Sequence, residues 1–359
     1  MSNARLDAVR ALLSQTSDGV DAVVVSDIVN IAYISGFTGS TALLLITADE
    51  TLFITDFRYT GQARRQCPDF EIVDISKSDS LDDLFSSRPS IKRLGFESAN
   101  VTVARLEGWK KRTPIAEWIS VGESLSQLRM IKDSDEIALI NHAISIAQDG
   151  FSLVSPLLEP GVTEAEFALE LEFAMRRAGA SGASFDIIVA SGENGAYPHH
   201  RAGDRTFENG DLVTIDWGAK YQGYCSDITR TVIIGPNIGD KQKEIYDIVA
   251  QAKQLSIEAI KPGVTGKEID SIARDYIAEH GYGDYFGHSL GHSLGLEVHD
   301  GATLSQRAEN VILVPGMVTT VEPGIYIEGF GGVRLEEDVL VTETGSVVLT
   351  IPSPPLTVR

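Results

Sequence analysis

Asp211-Leu212-Val213-Thr214-Ile215-Asp216-Trp217-Gly218 reads as a strand, a turn follows around Ala219–Gly223, and a second strand runs from Tyr224 through Ile234. With the turn centred between Tyr221 and Gln222, an antiparallel hairpin places Asp216 opposite Asp227. Directly opposed carboxylates repel one another, so a positive group is expected between them. The neighbours Val213, Ile215 and Trp217 are apolar, which argues that this strand is buried. Buried carboxylates without partners are costly, and the usual remedies are protonation or a cation.

Downstream the same device recurs. Met317–Ile327 and Val333–Thr342 read as strands around the turn Glu328-Gly329-Phe330-Gly331-Gly332, and a centre at Gly329 sets Glu322 opposite Glu336. Two acidic hairpins suggest a duplicated domain, and a second repeat supports it. Pro160-Gly161-Val162-Thr163-Glu164-Ala165-Glu166 returns as Pro262-Gly263-Val264-Thr265-Gly266-Lys267-Glu268, identical at five of seven positions. Each copy follows a long amphipathic helix (Asp135–Leu158 and Lys241–Ile260), and each carries the Thr-x-x-Glu capping box that opens another. A site formed where two such halves meet draws its ligands from both.

Between the hairpins lies Phe286-Gly287-His288-Ser289-Leu290-Gly291-His292-Ser293-Leu294-Gly295-Leu296-Glu297-Val298-His299, with three of the seven histidines. Gly287, Gly291 and Gly295 oppose a helix, so the spacing of His288 and His292 is not that of a zinc-binding helix, and a glycine-rich loop is expected. Pro198-His199-His200 precedes the first acidic hairpin; His142 and His280 fall on helical patterns and read as structural. The loop matches Gly-x-Ser-x-Gly twice, around Ser289 and Ser293. It lacks the preceding strand and following helix of a nucleophile elbow, and only Glu297 lies between these serines and His299. A serine hydrolase is therefore a poor reading.

The first third alternates short strands (Asp21–Ser26, Thr41–Thr47, Thr51–Thr55, Phe70–Ile75, Arg93–Glu97) with helical patterns at Tyr59–Gln66 and Val103–Arg112, which predicts a separate α/β domain. A boundary is expected within Val121–Lys132, giving domains 1–125 and 126–359. The net charge of −21 opposes a nucleic-acid partner. Apolar stretches such as Thr41–Thr47 are too short for a membrane span, and residues 1–7 lack the apolar centre of a signal peptide, so a cytoplasmic protein is expected. Cys67 and Cys225 read as small buried residues.

Taken together, these motifs resemble the proline-specific branch of the pita-bread metallopeptidases, the Xaa-Pro aminopeptidases and Xaa-Pro dipeptidases (prolidases). The resemblance covers nearly the whole chain. It includes Tyr33–Ser40, Thr55–Tyr59, Leu128–Lys132, Asp216–Arg230, His288–His299, Val321–Gly324 and Val333–Glu336. It implies a creatinase-like α/β domain followed by an α+β pita-bread catalytic domain with an internal pseudo-twofold duplication. It further implies Asp216, Asp227, His292, Glu322 and Glu336 as ligands of two divalent ions, with Asp227 bridging. His199 and His299 match substrate and transition-state histidines, His288 a third active-site histidine, and Arg334 an arginine beside the last ligand, so that all four are expected to bind substrate; His200 matches no role.

The oxygen-rich set suits Mn²⁺, with Co²⁺ or Zn²⁺ as alternatives. Glu322 is the expected general base, and His199 or His299 the expected oxyanion donor. The expected activity is removal of an N-terminal residue ahead of proline, as in aminopeptidase P, with the dipeptidase as alternative. A catalytically silent pita-bread binding module is the remote one. Proline-containing peptides are the expected substrates, and a homodimer follows from the resemblance.

Overall fold

The computed structural model describes residues 2–15, 19–76, 81–113, 115–122 and 124–352. The tail 353–359, assigned above to the second domain, lies outside them. The chain divides into two compact units, Met1–Arg129 and Met130–Arg359.

The first unit runs α1 (Ser2–Gln15), β1 (Ala22–Val25), α2 (Ile28–Ser35), β2 (Leu43–Thr47), β3 (Thr51–Thr55), α3 (Thr60–Gln66), β4 (Glu71–Asp74), α4 (Leu81–Ser86), β5 (Arg93–Phe96), α5 (Val103–Arg112), β6 (Glu117–Ser120) and α6 (Ser124–Gln127). Its mixed sheet has the order β4-β3-β2-β1-β5-β6. Leu45, Leu52, Leu94 and Trp109 belong to the core on this sheet. The sequence reading passed over α1 and α2. Yet Leu6, Val9 and Leu13 are buried along one face of α1, at helical spacing. Helix α2 has both punctuation marks: Asp27 caps its start through Val29 N–H, and Gly36, at φ 75°, ends it. The β-rich look of Ile28–Ser35 hid them.

The second unit is the duplicated one. Its first half runs α7 (Ser134–Val154), α8 (Glu164–Arg177), β7 (Gly182–Ala183), β8 (Ile188–Ser191), β9 (Leu212–Trp217), β10 (Ala219–Tyr221), β11 (Tyr224–Cys225) and β12 (Ile228–Ile233). Its second runs α9 (Asp240–Ala259), α10 (Gly266–Glu279), β13 (Gly291–His292), β14 (Thr303–Leu304), β15 (Val318–Val321), β16 (Gly324–Ile327), β17 (Gly331–Arg334), β18 (Glu337–Val341) and β19 (Ser346–Val348). The principal sheets are β12-β9-β8 and β15-β18-β19. Both predicted capping boxes form, Thr163 with Glu166 and Thr265 with Glu268, and each cap contributes about 1 kcal/mol.

Ser134–Leu157, which is α7 and the 3₁₀ turn after it, is long and apolar enough to cross a membrane by length and composition, contrary to the expectation from shorter stretches. Here Ile140, Ala143, Ile144 and Ala147 on α7 are buried. Trp217, itself 1 % exposed, stacks on Phe151 at 4.5 Å and donates from Nε1 to Ala147 O at 2.9 Å. The helix thereby belongs to the wall behind Asp216. Both cysteines are buried and free, as expected.

Candidate metal centre

The first acidic hairpin turns one residue later than expected. Gln222 (φ 47°) and Gly223 (φ 93°) form a two-residue loop with both φ positive, and Tyr221 pairs with Tyr224. Asp216 therefore stands across from Thr229, not Asp227, which lies nearer the turn. The two chains come close there: a Cβ on Gly218 would lie 1.8 Å from Ser226 O. The second hairpin keeps its predicted register. Val321 pairs with Glu337 before a gap and Gly324 with Arg334 after it, which leaves Glu322 across from Glu336.

The two halves meet edge to edge. Glu336 N donates to Thr229 O at 3.2 Å, Thr231 Oγ1 to Arg334 O at 2.9 Å, and Asp227 N to Asp338 Oδ2 at 3.2 Å. Asp227, His292 and Glu336 offer ligand atoms that all lie within 4.8 Å of one another. Glu322 Oε1 is 3.3 Å and Asp227 Oδ2 3.6 Å from His292 Nε2. Asp216 acts electrostatically on Asp227, Glu322 and Glu336. Four predicted ligands thus form one cluster, and Arg334, which donates to Asp216 and to the Thr229 that holds Glu336, ties the fifth to it.

Its electrostatics are those of too many anions. Burial first, then Glu336 and Asp216, raise Asp227 well above the usual carboxylate range. Burial, Glu322 and Asp216 do the same for Glu336, and burial pushes Glu322 up to about 8. His292 is pushed down to about 4, by burial and then by His299, and is neutral at pH 7. Its Nδ1–H reaches Ser293 O at 3.3 Å, so the Nε2 lone pair faces two carboxylate oxygens. That contact requires a positive charge between the atoms, either a carboxyl proton, which the raised Glu322 can supply, or a cation. Asp216 Oδ1 is buried without a hydrogen-bond partner among the described residues. A bound divalent ion meets both needs, and four carboxylates with one imidazole form a hard donor set that fits it.

Supporting residues appear that the sequence reading did not select. Thr229, on β12, donates to Glu336 Oε2 at 2.7 Å, and Thr320, two residues before the acid it holds, donates to Glu322 Oε1 at 3.2 Å. Tyr326 links two predicted residues: Arg334 Nη1 donates to its oxygen at 2.9 Å, and its hydroxyl donates to His288 Nε2 at 2.9 Å. His288 is driven down to about 4, chiefly by burial, and its Nδ1–H is held by Ser289 O at 2.8 Å. Arg334, counted above among the substrate-binding residues, donates to Asp216, Tyr326, Thr229 and Pro198 O and so also orients the site.

His299 is exposed and meets the His292 ring edge-on at 4.2 Å. His199 is also exposed, beside the Pro198 carbonyl that Arg334 holds. His142 and His280 lie outside the cluster: one packs on Tyr221, the other pairs with Tyr276 O. Ser289 and Ser293 begin no helix. Gly291–His292 forms only a two-residue strand in an otherwise irregular loop.

An anionic cluster at the seam of a duplicated α+β unit defines a hydrolytic metal centre of the pita-bread kind. The chain belongs to metallopeptidase family M24, whose profile matches residues 138–343, and the Creatinase/Prolidase N-terminal domain matches residues 5–131. It is accordingly a hydrolase dependent on divalent metal. An Xaa-Pro dipeptidase of Pyrococcus horikoshii is 42% identical over 93% of this chain and 93% of its own. The Xaa-Pro dipeptidase structure from Bacillus anthracis superposes with a TM-score of 0.95 at 41% identity, covering 100% of both chains. That of an X-Pro aminopeptidase from Thermotoga maritima gives 0.90 at 40% identity, covering 99% of both.

Proposed function

We propose that this protein is a prolidase, hydrolysing Xaa-Pro dipeptides with two divalent ions held by Asp216, Asp227, His292, Glu322 and Glu336. The observation that carries the metal reading is His292 Nε2 facing two carboxylate oxygens beside the unpartnered Asp216 Oδ1. The sequence alone leaned towards aminopeptidase P. The dipeptidase is favoured here because two whole-length relatives at 42% and 41% identity bear that name. The aminopeptidase is the second reading, and the Thermotoga structure supports it.

Bound in this set, divalent ions, Mn²⁺ first and Co²⁺ or Zn²⁺ as alternatives, would polarise the scissile carbonyl and acidify water. Glu322, oriented by the Thr320 hydroxyl, takes the proton of the attacking water and passes it to the prolyl nitrogen. The exposed His199 and His299 rings donate to the developing oxyanion and to the substrate. His288 presents a neutral, tautomer-locked ring to the substrate side. Arg334 and Tyr326 keep Asp216 and His288 aligned. We further propose a homodimer, and a cytoplasmic location in keeping with two free buried cysteines.

The test compares Ala-Pro with Ala-Pro-Ala-Ala after the metal-free enzyme is loaded with Mn²⁺. Preference for Ala-Pro supports the prolidase, and preference for the tetrapeptide transfers the assignment to aminopeptidase P. Cleavage of neither rejects both Xaa-Pro readings.

A further inference from the structure

Glu164 is the first residue of α8 and is 0 % exposed. Its carboxylate gathers a segment that runs across the site. Oε1 accepts from Ser191 N at 2.8 Å, Ser191 Oγ at 2.7 Å and Asn194 Nδ2 at 3.0 Å; Oε2 accepts from His200 Nε2 at 2.7 Å and Gly203 N at 3.2 Å. One buried side chain thus holds both ends of Ser191–Gly203. Helix α8 adds its first free amides, with Glu164 N on Arg205 O and Ala165 N on Gly203 O, each at 3.0 Å.

Between those ends the strap rests on β17. A Cβ on Gly195 would come 2.9 Å from Gly332 N, and Pro198 O accepts from Arg334 Nη1 at 3.3 Å. The adjacent histidines then take opposite directions. His200 turns inward to Glu164, while His199 is exposed, next to the Pro198 carbonyl that Arg334 holds.

The other half repeats the arrangement with different residues. On α10, Asp270 accepts from Leu290 N at 3.0 Å, and Arg274 donates to Phe286 O and His288 O at 2.8 Å. In both halves, then, the helix opened by the Pro-Gly-Val-Thr turn grips the segment that bears an active-site histidine. The duplication carries positioning as well as ligands.

We propose that Glu164 and His200 are positioning residues, a buried clamp that fixes the 191–203 strap and thereby the place of His199 in the reaction. This rests on the peptidase reading for its catalytic consequence but not for the clamp itself, and the test separates the two. Hydrogen–deuterium exchange on the metal-loaded protein reads the clamp without substrate. His200→Ala should speed exchange across 191–203 about tenfold or more and leave β9 unchanged. Exchange unaltered in both His200→Ala and Glu164→Gln overturns the proposal, whatever the activity.

Kinetics on Ala-Pro then reads the consequence. His200→Ala should lower kcat/KM about 10–100-fold, mostly in kcat, at unchanged metal content, and His200→Gln, which can still donate to Glu164, should recover much of it. Added to His199→Ala, His200→Ala should cost little more, because its effect passes through His199. Fully multiplicative losses would reduce the pair to a stabilising contact and overturn the positioning role. A wild-type enzyme inactive on both test peptides would refute the Xaa-Pro reading, while the exchange data would still decide the clamp.

Discussion

Arg334 on β17 donates through Nη2 to Asp216 Oδ2 on β9 at 2.7 Å, an ion pair that crosses from the second half of the duplicated unit to the first. The same guanidinium donates from Nε to Thr229 Oγ1 at 3.2 Å, and Thr229 in turn holds Glu336. One planar group thus sets the orientation of a carboxylate from each half. A point-charge cation cannot serve all these acceptors together.

Arg334→Lys should therefore lower kcat/KM or metal affinity about 10–100-fold, as loss of an outer-shell partner usually does. Arg334→Met, which leaves Asp216 buried and unpaired, should also destabilise the metal-free protein by about 3–5 kcal/mol. Melting curves and peptide kinetics on both variants check this. Wild-type kinetics in Arg334→Lys would remove the orienting role.

EDTA should abolish peptidase activity and Mn²⁺ or Co²⁺ restore it, because the donor set is hard and anionic. Elemental analysis alongside the assay makes the test. Full activity in a demonstrably metal-free preparation would end the two-metal reading.

Metal-free stability should fall as pH rises from 6.5 to 8. Glu322, raised to about 8, keeps its proton in the native state through a window where an unfolded glutamate has lost it. His288 and His292, lowered to about 4, act oppositely, but only between pH 4 and 6.5. Above 6.5 the carboxylate effect stands alone and is at most about 2 kcal/mol for a single proton over this window. Mn²⁺ should reverse the slope, since it competes with the protons. Thermal melts at several pH values, with and without Mn²⁺, decide it; a metal-free Tm that climbs between pH 6.5 and 8 contradicts the assignment.

Asp227→Asn should lose metal and activity together, because an amide does not replace the charge of a bridging carboxylate. His299→Ala should keep its metal and lose kcat/KM by roughly 10²–10³-fold. If His299→Ala arrives without metal while Asp227→Asn retains it, the two roles have been exchanged.

Light scattering at micromolar concentration should give twice the 38.8 kDa chain mass. A single species at the chain mass refutes the homodimer.

The sequence by itself determined the parts that depend on local chemistry. The capping boxes at Thr163 and Thr265 form because each needs only its own helix turn. The Glu322/Glu336 hairpin held its register because its turn lies around Gly329, whose φ is 72° and which no neighbour crowds. The Asp216/Asp227 hairpin did not. The positive φ of Gln222, a residue that rarely adopts it, was not visible in the letters, and one residue of turn changes every cross-strand partner. Everything that needs two distant segments in contact was decided by the tertiary structure. His200 matched no motif, yet it closes on Glu164, 36 positions away. Tyr326 became a link because β16 and β17 bring His288 and Arg334 to the same hydroxyl. Ligand types follow from the chemistry a metal requires, whereas the groups that aim them can be any donors or acceptors that packing delivers, and only the folded chain says which arrive.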